Sequence, residues 1–348
     1  MTHISEIMDL KLLDEMLEGR YVNATKHPTL DLVVYNYGQR AQYDGVWNDA
    51  TLQCRGLICT LEGEIVARPF RKFFNLTQLP TIPDGPFVAQ EKMDGSLGII
   101  YPTPDGPAVA TRGSFASEQA LWATEWLRAN PRALESAVQA CDTDVTLLVE
   151  IIYPENRIVV DYGDTRDLVY LTAIDNDTGQ DCVGIDWPTD PAPSYPGLDL
   201  DAVMAMEKPN SEGFVLRWQD GTRAKVKFPE YVRLHKLLTG VNARTIWELR
   251  MNGQPLDDLL ELVPDEFYQW VETTDQAIRD AFTEIEMQAL ADLALVPRDV
   301  DRRTQAEQIK AFAYPGVVFC ALDGKDYAPQ IWKMIRPSAA APFKSDDE

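Results

Sequence analysis

Residues 90–100 read QEKMDGSLGII. Two apolar runs flank a charged turn in which Lys92, Asp94 and Gly95 stand within four positions. A strand–turn–strand hairpin explains the pattern, and so does a reactive amine held at a strand end beside a nucleotide. Lysine is a poor nucleophile at its ordinary pKa near ~10.4 and becomes reactive where burial or neighbouring cations favour the neutral amine. The question is therefore whether the rest of the chain gives Lys92 cationic company.

Downstream, RAKVKF (residues 223–228) sets Lys225 and Lys227 two apart, on one face of a strand. Such a pair suits a bound polyanion, or a solvated edge strand, where lysines guard unpaired edges. Upstream, CRGLICTLEGEIVARPFRKFFNL (residues 54–76) combines Arg55, Arg68, Arg71 and Lys72 with Phe73 and Phe74. Cations beside aromatic faces suit a nucleotide's phosphates and its base or ribose, although a hairpin with a solvated face and a core Phe also fits. In ATRGSF, Arg112 and Ser114 sit where a strand gives way to a helix, with backbone N–H groups available to an anion. Glu150 in TLLVEIIY and Glu212 in SEGFVLRW each adjoin an apolar run, where a carboxylate needs a partner or ligand. Two such groups suit ribose hydroxyls or a hydrated Mg²⁺.

The whole chain bounds these local readings. At 348 residues it is too long for one small core, and two domains are expected. Its 45% hydrophobic and 25% charged residues are those of a globular protein. The net charge of −23 excludes a general nucleic-acid coat, since affinity for phosphate backbones comes from Lys and Arg. A polyanionic substrate must therefore meet a local basic site inside an acidic surface. The five cysteines form no CxxC pair and there are only three histidines, which argues against zinc clusters and a disulfide framework. The opening residues MTHISEIMDLKLLDEMLEGRY read as an amphipathic surface helix without a signal-peptide pattern, and no window approaches a membrane span. A cytoplasmic protein is expected.

Between residues 30 and 228, short β-branched and aromatic runs are cut by Gly, Pro and Asp, which predicts antiparallel strands. RIVVDY (residues 157–162) is read as one of these strands. SEQALWATEWLRAN is the one clear helix there, with Ser117 as N-cap and an end before Pro131. Residues 187–206 predict a loop leading into a short helix. After Tyr231 helical periodicity takes over. The expected fold class is α+β: an antiparallel-sheet domain over residues 1–236 and an all-helical domain over 237–348, ending in the acidic KSDDE.

In order and spacing, EKMDGS, TRGS, VEIIYPENRIV, EGFVLRW and KVKF resemble the successive motifs of the covalent lysyl-AMP nucleotidyltransferase superfamily of ligases and capping enzymes. Within it, CRGLI, ARPFRKFFN and YPENRIVVDY resemble the phage-type, ATP-dependent RNA ligase family. DNA ligases carry Arg two residues after the Lys-x-Asp-Gly glycine, whereas Ser96 and Leu97 follow Gly95 here, which favours an RNA ligase. The resemblance spans about residues 55–231.

It implies a nucleotidyltransferase fold and a role for each matching residue. Lys92 would attack the α-phosphorus of ATP. Asp94 and Gly95 would fix the turn beside it, and with Glu91 they count among the nucleotide-binding residues. Arg55 and Lys72 would touch the triphosphate or an RNA 5′-phosphate, and Phe74 would pack near the nucleotide. Arg112 stands where relatives often have Lys. Glu150 would bind the ribose and Tyr170 would stack on adenine. Glu212 would place Mg²⁺, or Mn²⁺ in its stead, and Lys225 and Lys227 would neutralise phosphates. The implied activity is joining RNA 5′-phosphate and 3′-hydroxyl ends, in tRNA or other RNA repair, by a monomer in the cytoplasm, a host's if phage-encoded. The alternatives are a DNA ligase, a capping guanylyltransferase, or a non-catalytic nucleic-acid-binding domain.

Overall fold

Alternating apolar residues place one face of each strand in a core, and in chain order the strands are β1 (Val22–Lys26), β2 (Leu32–Tyr37), β3 (Arg55–Thr60), β4 (Ile65–Ala67), β5 (Phe74–Asn75), β6 (Phe87–Glu91), β7 (Ser96–Tyr101), β8 (Ala108–Ala110), β9 (Val145–Ile152), β10 (Asp167–Asp175), β11 (Asp181–Cys182), β12 (Ser194–Pro196), β13 (Gly213–Trp218) and β14 (Arg223–Lys227). The helices are α1 (Leu10–Glu18), α2 (Gln39–Tyr43), α3 (Asp49–Gln53), α4 (Glu118–Ala129), α5 (Pro131–Asp142), α6 (Leu200–Ala205), α7 (Pro229–Thr239), α8 (Ala243–Met251), α9 (Asp257–Leu262), α10 (Tyr268–Ala294), α11 (Arg302–Ile309), α12 (Pro315–Leu322) and α13 (Ala328–Met334). The structure is a computed structural model and describes residues 2–182, 184–239, 241–262 and 268–337. The acidic KSDDE lies outside the described residues.

The chain divides into two compact units, Met1–Leu238 and Thr239–Glu348. The first carries three sheets, in the orders β1-β2-β3-β4, β11-β10-β9-β7-β8 and β12-β6-β13-β14-β5. Every strand pairing is antiparallel except the short one between β5 and β14. With a helical second unit, this is the expected α+β class.

The cores set the layers. Ile4, Leu13, Val33 and Leu57 seal α1 and α3 onto the first sheet. Val34, Ile58, Ile99 and Leu148 join the first sheet to the second. Leu147, Val149 and Ile151 of β9 turn the other way, onto Ala123 and Leu127 of α4 and Ala133 and Ala137 of α5. The third sheet buries Phe87, Ala89, Phe214 and Leu216 with Val203, Phe228 and Tyr231. In the second unit, Ile285, Ala289, Ile309, Val318 and Ile331 form a helical core.

Ser117 caps α4, its hydroxyl accepting from the Ala120 N–H, and α4 ends at Ala129, before Pro131, as expected. Two local expectations change. The one helix read here is followed by a second, α5, which Pro131 opens at its first position. Proline fits there because that N–H has no intrahelical partner. RIVVDY is not a strand, because the N–H groups of Val159 and Val160 are taken by the Asp94 carboxylate instead of a ladder. No described helix is long and apolar enough to cross a membrane.

Candidate active site

The third sheet positions the charged groups through its phase. Phe214, Leu216 and Trp218 of β13 and Ala224 of β14 face its core, so Lys225 and Lys227 share the opposite face. β14 lies between β13 and β5 and is no edge strand; Lys225 is only 7% exposed. Solvated edge lysines are thereby ruled out. Lys92 follows the end of β6, its N–H donating to the Gly213 carbonyl at 2.8 Å. Gly213 has φ +140°, and a Cβ there would stand 2.0 Å from the Val226 carbonyl oxygen, so only glycine lets β13 close on β14 at this point.

That closure puts the buried Glu212 between two lysines. Its Oε2 lies 2.8 Å from Lys92 Nζ and its Oε1 3.0 Å from Lys227 Nζ. Burial alone would raise the Glu212 pKa, but the two ammonium groups outweigh it and hold the carboxyl below its ordinary value. The cationic company expected for Lys92 is thus supplied by Lys227 through a bridging carboxylate.

The turn after Lys92 is organised by Asp94, which is 3% exposed. Its Oδ2 accepts from the N–H groups of Val159 and Val160, each at 2.8 Å, and its Oδ1 accepts from the Tyr231 hydroxyl at 2.7 Å. The Asp94 N–H in turn donates to the Tyr162 hydroxyl. Asp94 thus fixes the turn, as expected, by a protein-to-protein staple in which both of its oxygens are occupied. Gly95 donates its N–H to Glu150 Oε1 at 3.1 Å, and a Cβ on it would come within 2.6 Å of the Ile151 carbonyl oxygen. Burial pushes the Glu150 carboxyl up to about 7, a rise opposed by Lys92 and Arg55 and assisted by Glu212 and Asp94.

The basic–aromatic cluster forms beside β14. β5 pairs with it so that Phe74 aligns with Ala224 and Asn75 with Lys225. Lys72 is 8% exposed and sits in an aromatic box, its Nζ 5.1, 5.2 and 5.5 Å from the ring centres of Tyr37, Trp47 and Phe74. Arg112 donates to the Tyr37 hydroxyl at 2.8 Å. Arg55 lies over Phe70 and Phe73. Tyr37, Trp47 and Tyr162 are site residues that the sequence reading missed. Arg68 serves a different end, donating to the carbonyls of Asn176 and Asp177 at a turn, and Arg71 pairs with Asp49 at 3.6 Å.

Two candidates fall on the wrong face. Val169 opposes Glu150 in the β9–β10 ladder, so its neighbour Tyr170 opposes Val149 and turns away; it lies 6.4 Å from Trp187 on the side of the helix-facing core. Tyr170 is therefore not an adenine-stacking group. Glu91 shares the phase of Phe87 and Ala89, opposite Lys92 in alternation, and binds Lys208 at 2.6 Å and the Ser211 hydroxyl at 3.1 Å. Its carboxylate is a brace behind the strand, not a nucleotide ligand.

A family model described as RNA ligase matches residues 53–184. That segment is thus similar to the RNA ligase family. A Thermovibrio ammonificans protein named as an RNA ligase is 26% identical to this chain over 282 residues, 74% of this chain and 72% of its own. Among solved structures, an Aquifex aeolicus protein named as an ATP-dependent DNA ligase superposes with a TM-score of 0.48 at 15% identity, covering 81% of each chain. A Naegleria gruberi RNA ligase solved with pyrophosphate gives 0.36 at 19% identity, covering 43% of this chain and 52% of its own. The matched segment holds Arg55, Lys72, Lys92 and Glu150. Glu212, Lys225 and Lys227 lie beyond it and join them through the third sheet. Among the described residues, no group of three or more His, Cys, Asp or Glu side chains could hold a metal by itself.

Proposed function

We propose that this protein is an RNA ligase that consumes ATP to join RNA 5′-phosphate and 3′-hydroxyl ends, through AMP carried first on Lys92 and then on the RNA 5′-phosphate, in the repair of tRNA or other RNA. The observation that carries the reading is the Lys92–Glu212–Lys227 bridge at the end of β6, beside Lys225 and Arg55. Buried lysines flanking one reactive amine suit a triphosphate and little else in an acidic protein.

In the first step Lys92 Nζ, having lost a proton, attacks the α-phosphorus; an N–P bond forms and pyrophosphate leaves. Glu212 is the acceptor within hydrogen-bond reach of that amine. Arriving phosphates would compete for Lys227, and Lys225, Lys72, Arg55 and Arg112 would neutralise the charge that develops. In the second step an RNA 5′-phosphate oxygen displaces Lys92, and in the third a 3′-hydroxyl displaces AMP. A divalent ion such as Mg²⁺ is held by one or two carboxylates together with substrate phosphates. Glu212 fits that role once Lys92 and Lys227 turn to the phosphates, with Glu150 nearby, and the ion would supply further charge neutralisation.

Intact-mass measurement tests this directly. Incubation with ATP and Mg²⁺ should add one AMP to the wild-type chain, reversibly with pyrophosphate, and none to Lys92→Ala. Adduct formation on the variant would sink the assignment, and labelling by GTP rather than ATP would point to capping chemistry.

A further inference from the structure

A cavity of about 290 Å³ lies beside the Lys92 turn, and its walls include Asp94, Asn156, Arg157, Asp161, Asp164 and Thr165. Three aspartates against one arginine make this lining net negative by two. The arginine is already engaged, since Arg157 Nη1 lies 2.8 Å from Asp161 Oδ2. The cavity therefore repels phosphate, in contrast to the lysine-bearing face of the third sheet. What it offers is hydrogen-bond acceptors: the Asp164 carboxylate, exposed and without a hydrogen bond or ion pair among the described residues, and the Thr165 hydroxyl oxygen, which itself donates to the Tyr162 carbonyl. Its volume is near the lower end of the roughly 300–1,000 Å³ of ligand pockets, a size for one nucleoside rather than a longer segment.

Its position adds the second argument. Asp94 is two residues from Lys92, so their Cα atoms are at most about 7 Å apart. The Asp94 staple to Val159 and Val160 also fixes the cavity loop to the Lys92 turn. In the third step a 3′-hydroxyl must reach a phosphorus held next to Lys92. That strand end bears hydroxyl donors and no terminal phosphate, the chemistry that an acceptor-rich, negative pocket selects.

We propose, resting on the RNA ligase reading above, that this cavity receives the 3′-terminal ribonucleoside of the acceptor strand, with Asp164 accepting from a ribose hydroxyl and the negative lining rejecting a 3′-phosphate end. The test is sealing of a pre-adenylated donor RNA to an acceptor oligonucleotide without ATP, by wild type and by Asp164→Ala. The variant should take up AMP on Lys92 as the wild type does, yet show an acceptor KM ~10-fold higher with kcat little changed, the size expected for losing one charged hydrogen-bond partner. A 3′-phosphate oligonucleotide, a poor competitor of the wild type, should inhibit Asp164→Ala several-fold better. Normal adenylylation with unchanged acceptor KM and unchanged 3′-phosphate inhibition overturns this inference alone. Failure of the wild type to take up AMP overturns the ligase reading and this inference with it.

Discussion

At the scale of single residues, two carboxylates close to one lysine are driven in opposite directions. Glu212 is held low by two ammonium groups, whereas Glu150 is pushed up to about 7, chiefly by burial. The second shift has a testable sign. A carboxyl whose folded pKa exceeds its unfolded value binds more protons when folded, so its stabilising contribution is complete below about pH 4.5 and is lost as pH rises through about 7. Glu150→Gln removes that dependence. Its Tm should therefore gain on the wild type between about pH 5 and pH 8, by an amount worth ~3 kcal/mol at most. A difference that shrinks over that range, in parallel thermal melts, would show that burial does not govern Glu150. Lys92, Glu150, Glu212 and the two lysines of β14 were legible in the sequence because a charge in or beside an apolar run needs a reason. Tyr37, Trp47 and Tyr162 were not, since an aromatic residue in a strand or loop is ordinarily packing, and only the fold reveals a lysine or an aspartate at its ring or hydroxyl.

At the scale of elements, strand phase decides which neighbours of a motif act. Spacing by two correctly put Lys225 and Lys227 together, but the phases of Glu91 and Tyr170 depend on which face of each strand meets a core. For β10 a bulge between Tyr170 and Thr172 interrupts that phase, and nothing in LVYLTAID announces it. The loop of residues 153–166 shows the same limit, its β-branched run being recruited by a carboxylate 65 positions earlier. A prediction follows for that staple. In Asp94→Ala the N–H groups of Val159 and Val160 lose their acceptor in a buried setting, at roughly 1–3 kcal/mol for each group left unsatisfied. Asp94→Asn can turn its amide so that oxygen still accepts from both and nitrogen donates to the Tyr231 hydroxyl. Chemical denaturation should therefore rank wild type, Asn and Ala in falling stability, with the larger step at Ala. An Asn variant as weak as Ala would mean that charge, not hydrogen-bond count, holds the loop.

At the scale of the whole molecule, a net charge of −23 surrounds a small set of buried cations. Lys72 and Lys225 are each less than a tenth exposed. In the helical unit, Arg302 pairs with Asp323 and lies over Phe319, while Arg303 faces Glu307 at 3.5 Å. On the proposed ligase reading, RNA should accordingly be held through few phosphates near its ends rather than along its length. Counterion release makes this measurable, since log K against log salt falls by about 0.7 for each single-strand phosphate neutralised. Titration of a 5′-phosphorylated oligonucleotide should give a slope between about −1 and −3. Lengthening the oligonucleotide beyond the residues next to the ends should leave that slope unchanged, because the acidic surface offers the added phosphates no partner. A slope near −7, or one that steepens with each added nucleotide, would instead require an extended cationic path, which these buried and paired side chains do not form.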